Sequence, residues 1–159
     1  MNKSVPLHAG AGTWITALSV SPQKEDHDTL RKILRNSGCA DTPGSHWALK
    51  SSKDVDEAMV ILRNTRIPVV LCERDLPRGT WKDMVDALAS LPDPPFLVVT
   101  CRQADDRLWV EALNLGAYDV LQTPFNASEV TRTLDTAWLR WTDRHLLQPL
   151  QAAAARSVA

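Results

Sequence analysis

Ile67-Pro68-Val69-Val70-Leu71-Cys72-Glu73-Arg74-Asp75-Leu76-Pro77-Arg78-Gly79 is the stretch that decides the fold. From Val69 to Cys72 it is apolar without alternation, as a strand covered on both faces of a parallel sheet requires. Glu73 closes the run, and Leu76-Pro77-Arg78-Gly79 turns the chain into a helix. Open α/β sheets place their ligand sites at the carboxyl ends of the strands, so an internal site is expected near Glu73.

Upstream, Trp14 to Val20 reads as a first strand, broken by Ser21-Pro22. Lys24 to Asn36 reads as a helix bearing Leu30, Ile33 and Leu34, stopped at Ser37-Gly38. After a loop, Trp47 to Ser51 is a short strand, and Asp54 to Asn64 a helix with Val55, Ala58, Met59 and Leu62 on one face. Downstream, Trp81, Met84, Val85 and Leu88 repeat that spacing, and Phe96 to Thr100 is a second buried, β-branched strand. Leu108, Ala112 and Leu115 share a helical face ended by Gly116, and Tyr118 to Gln122 is a fifth strand. The last helix starts near Ala127, carries Val130, Leu134, Ala137, Trp138 and Trp141, and extends past His145. Five strand–helix units with short connections imply a parallel sheet with right-handed crossovers. The expected division is a flexible leader at 1–12, one domain at 13–147 and a C-terminal tail at 148–159, whose Ala-rich part, Gln151 to Ala159, is expected to fray.

A chain of 159 residues, 44% hydrophobic and 23% charged, suits one globular domain. Its net charge of −1 offers no nucleic-acid footprint. The scattered Arg102, Arg107, Arg132, Arg140 and Arg144 read as a solvated face. Met1 to Gly12 lacks the apolar core of a signal peptide, and no run approaches the ~18 apolar residues of a membrane span. Three widely spaced cysteines fit reduced thiols in a cytoplasm. Neither Gly-x-Gly-x-x-Gly after the first strand nor a Gly-Lys-Ser/Thr loop is present, so dinucleotide and nucleoside-triphosphate readings lack their phosphate cradle.

A five-fold strand–helix chain of this length, with a carboxylate followed by Leu76-Pro77 after strand three, resembles the bacterial response-regulator receiver domain. Thr100 ending strand four, Gly116-Ala117 before strand five and Thr123-Pro124-Phe125 after it extend the resemblance over residues 14–145. It implies a flavodoxin-like (βα)5, doubly wound parallel sheet in the order 2-1-3-4-5, here with an extended C-terminal helix. It also implies a cis peptide at Thr123-Pro124. The family's chemistry is phosphoryl transfer from a histidine kinase to an aspartate, needing a carboxylate nucleophile, Mg²⁺, a cation and a hydroxyl.

Carried over position by position, the acidic pair that holds Mg²⁺ falls on Ser21 and Pro22 and the acceptor on Glu73. The lysine falls on Thr123, the aromatic switch on Val120, and the hydroxyl alone is kept, as Thr100. One carboxylate where the family has three gives a divalent ion little reason to shed water, and Glu73 reaches ~1.5 Å beyond an aspartate. A displacement of that size can cost about 100-fold in rate. The expectation is a degenerate receiver with no catalytic residue, no metal site and no cofactor. It would be a non-enzymatic module acting through protein contacts, with a signalling protein or as a homodimer, and with no nucleic-acid or membrane partner.

Several residues carry two readings. Glu73 is either a built-in mimic of the phosphorylated state, its charge near Thr100, or a rim carboxylate paired with Arg74 or Arg102. Asp75, Glu25 and Asp26 either rebuild a metal site, leaving Glu73 or Asp75 a working Mg²⁺-dependent phosphoacceptor, or Glu25 and Asp26 simply occupy the first turn of helix one. Cys72 and Cys101 end adjacent strands as a thiol pair or as inert buried thiols. The four histidines read as surface residues. Val120, Trp138, Trp141 and Leu146 are the candidate partner surface, with Leu147 and Leu150 beyond, set against the alternative that both tryptophans cover the sheet.

Overall fold

The computed structural model describes residues 13–38 and 44–157, with side chains to residue 146. The leader at 1–12, Cys39, His8 and the side chains of Leu147 and Leu150 lie outside the described residues. In chain order the elements are β1 (Trp14–Val20), α1 (Lys24–Arg35), β2 (His46–Ser52), α2 (Val55–Asn64), β3 (Val69–Glu73), β4 (Asp75–Leu76) and β5 (Gly79–Thr80). There follow α3 (Trp81–Ala89), β6 (Phe96–Cys101), α4 (Asp106–Asn114), β7 (Asp119–Gln122) and α5 (Ala127–Ser157).

β2, β1, β3, β6 and β7 form, in that order, one five-stranded parallel sheet. Counting only its strands, this is the expected order 2-1-3-4-5. The apolar run of β3 is continuous because its two faces serve two cores. Val70 and Cys72 pack with Leu18, Val20, Val99 and the inner faces of α2, α3 and α4. Val69 and Leu71 pack with Ile15, Ala17, Val98, Leu30, Leu34, Leu134 and Ala137, under α1 and α5. Each such fully buried aliphatic side chain removes enough apolar surface to stabilise the fold by roughly 1.5–3 kcal/mol.

Local chemistry sets the helix starts. Asp54 caps α2 by accepting from the Glu57 N–H at 2.9 Å, and Asp105 caps α4 by accepting from Leu108 at 2.8 Å. Thr80 and Asp83 make a reciprocal capping box at α3. Gly116, at φ 95°, takes the left-handed turn after α4 that a β-carbon would resist. The Thr123-Pro124 bond is cis, as the resemblance implied.

Four expectations need correction. The Leu-Pro-x-Gly segment is not a plain turn, because β4 and β5 pair antiparallel there, Asp75 opposite Thr80. His27 is buried, not a surface residue, and His145 is half-buried between Asp93 Oδ2 at 2.5 Å and the Trp141 carbonyl at 2.7 Å. Val120 and Trp141 are core: Val120 lies under α4, and Trp141 meets Phe96 edge-on and packs against Arg144 and His145. Of the four residues expected at a partner surface, Trp138 is half-buried and Leu146 is 70% exposed. Finally, α5 runs past the boundary expected at 147, to Ser157, through Ala152 to Ala155, whose helix propensity is the highest of any residue.

Candidate functional site

At the carboxyl edge of the sheet the strand ends converge on Glu73. Register places Glu73 opposite Thr100, and Val20 opposite Cys72, so Ser21 leaves β1 beside Glu73. The Arg74 N–H donates to the Thr100 carbonyl at 2.8 Å and Thr123 N–H to Cys101 at 2.8 Å, which fixes the rim. Three loops, after β1, β6 and β7, therefore surround one carboxylate.

The Thr100 hydroxyl donates to Glu73 Oε2 at 3.4 Å, a long hydrogen bond. Glu73 titrates at about 7, raised from 4.5. Burial is the main cause and the Asp26 charge the next; the Thr100 hydrogen bond opposes them, Asp75 adds a smaller push upward and Arg74 a smaller pull downward. Arg74 does not neutralise Glu73, because its guanidinium is bound to Asp75 through Nε and Nη2, each at 3.1 Å. Nor does position 123 supply a cation. Thr123 is buried, and its hydroxyl has no hydrogen-bond partner among the described residues.

Asp26 comes from the first turn of α1, where the helix dipole favours it. It is held by the Ser21 hydroxyl, which donates to Asp26 Oδ2 at 2.7 Å and accepts from the Gln23 N–H at 3.1 Å. Beneath lies His27, whose Nε2 must donate to the Ser21 carbonyl at 3.0 Å, while Nδ1 meets the Ser19 hydroxyl at 2.8 Å. This polar ladder from Ser19 to Asp26 escaped sequence reasoning, although His27 at two turns' reach from Ser19 and Ser21 was its one visible signal. Pro22 is exposed and offers no oxygen.

Beyond Asp26 a cleft of about 390 Å³ opens between Glu25, Arg102 and Thr123. Glu25 and Asp75 are exposed, so the structure brings together Glu73, Thr100, Ser21 and Asp26, with Thr123 at the edge. The donor set does not suit Mg²⁺, which needs several hard oxygens in an octahedron. Ser21 and Pro22 carry no charge and Asp26 is tied to Ser21; among the described residues no three His, Cys, Asp or Glu side chains are arranged to hold a metal. Cys72 and Cys101 are free and buried; burial pushes both thiols up, which disfavours the reactive thiolate.

No family model matches the chain, and no curated protein does. Solved structures do match. The signal receiver domain of a putative Luxo repressor protein from Vibrio parahaemolyticus superposes at TM-score 0.73 and 14% identity, over 84% of this chain and 97% of that one. The receiver domain of an HD domain-containing protein from Pseudomonas fluorescens superposes at 0.70 and 17%, over 82% and 91%. A beryllofluoride-activated NtrC4 receiver domain, solved as a dimer, gives 0.66 and 22%, over 79% and 98%. The fold is that of a signal receiver domain.

Proposed function

We propose that this receiver-fold chain is a signal-transduction module that works through protein contacts without a cycle of phosphorylation. The observation that carries this reading is the company Glu73 keeps. The carboxylate at the acceptor position faces Asp26 and the Thr100 hydroxyl, with a neutral threonine at 123. Phosphoryl transfer runs on positive charge around the transferring group, whereas Glu73 feels chiefly the like charges of Asp26 and Asp75, Arg102 lining only the cleft beyond. Asp75, the other carboxylate considered, is exposed and spent on Arg74.

In this reading Glu73 stands in for a phosphorylated aspartate: it places an oxygen at the end of β3, bonded to the β6 Thr100 hydroxyl, and carries its charge above about pH 7. The partner surface in this reading is the face of α4, where Val110, Leu113 and Leu115 are 59%, 52% and 46% exposed. Its occupant is a signalling protein or a second copy of the chain. Among the described residues no helix is long and apolar enough to cross a membrane, and the free thiols suit a reducing cytoplasm. The test is incubation with Mg²⁺ and acetyl phosphate, followed by intact mass. An unchanged mass supports the proposal, and an added phosphoryl group refutes it.

A further inference from the structure

The opposite end of the sheet carries a second concavity, unrelated to Glu73. A groove of about 560 Å³ runs between the amino ends of β1 and β3 and the middle of α5. That volume lies in the range of small-molecule sites. Its walls include three indoles, Trp14, Trp138 and Trp141, with Pro68 and Leu146. Trp14 is 67% exposed and Leu146 is 70% exposed, an apolar area that water covers at a cost.

The charges around the groove are one-sided. Among the described residues no carboxylate lines it, whereas Arg66 does. Arg144 sits 4.5 Å over the Trp141 ring, but its guanidinium is spent on Asp93 at 3.1 Å and the Pro94 carbonyl at 2.8 Å. His145 is likewise occupied through both ring nitrogens. Arg66 lies 5.9 Å from the same Trp141 ring and has no carboxylate partner among the described residues. A guanidinium held on an indole beside an open aromatic wall presents its remaining N–H groups as a fork for a carboxylate.

We infer that the groove between Trp14, Trp138 and Arg66 binds a small planar aromatic acid, its ring on the indoles and its carboxylate on Arg66. The aromatic body removes the Trp14 face from water, and the acid supplies the charge that the groove lacks. This site is independent of the phosphorylation reading, and either can fail alone.

The test is calorimetric titration of the full chain with 1-naphthylacetate, its neutral amide 1-naphthylacetamide, and acetate. The acid is expected to bind roughly fivefold tighter than the amide, the size of one exposed ion pair, and acetate not to bind. Arg66→Gln should abolish the preference and Trp14→Ala should weaken both naphthyl ligands; both sites are at the surface, so the fold is kept. Equal binding of acid and amide, no binding of either, or binding unaffected by both variants overturns the inference. Sedimentation velocity accompanies it: a dimer that Leu146→Glu splits would assign the groove to a second copy and also overturn it.

Discussion

Glu73 and Thr100 face each other across the β3–β6 ladder, and the threonine hydroxyl donates to the glutamate carboxylate at 3.4 Å. That single donor does not offset burial and the Asp26 charge, so the carboxyl takes up its proton at about 7 instead of 4.5. Between those two values the folded chain holds a proton that the unfolded chain has released. Stability from this group is therefore full below the unfolded value and declines as pH rises through about 7. Because Glu73 is only half-buried, solvent screening limits the loss to about 1–2 kcal/mol. Urea denaturation at pH 5 and pH 8 checks this, and Glu73→Gln should remove the slope.

Position 123 carries a neutral, buried threonine, which has a direct consequence for Glu73. Thr123→Lys places positive charge at the rim and should lower the Glu73 titration point by about one pH unit or more. Asp26→Asn should move it the same way by removing the like charge. Carbon-13 NMR titration of the Glu73 side chain reads both, and an upward move in either variant would contradict the electrostatic account.

Cys72 and Cys101 are buried, with thiols pushed away from the thiolate. Iodoacetamide at pH 7 should leave both unlabelled in the native protein and label both after denaturation, as peptide mass mapping will show. Rapid native labelling of either would revive the thiol-sensor reading.

Two residues of the expected partner surface should separate sharply. Trp141 is 3% exposed and Leu146 is 70% exposed. Trp141→Ala should cost about 3–5 kcal/mol and Leu146→Ala less than about 0.5 kcal/mol in denaturant titration.

The fold was legible because β3 and β6 are apolar without alternation and each helix repeats its apolar spacing once. The rim was legible in part: Glu73 and Thr100 lie at the carboxyl ends of β3 and β6 and Thr123 follows β7, since short loops tie rim positions to strand ends. What stayed hidden depended on tertiary contact. His27 looks like any helix residue until Ser19 and Ser21 close on it. Trp141 reads as surplus apolar area until Phe96 and Arg144 cover it. The β4–β5 ribbon follows from a backbone pairing too short to leave a pattern.

The most direct test of a receiver scaffold without its reaction centre is the amide NMR spectrum at pH 8 on adding Mg²⁺ and beryllofluoride. The account predicts that the Glu73, Arg74, Thr100 and Thr123 amides stay where they are. Saturable shifts at those four positions, dependent on Mg²⁺, would contradict it.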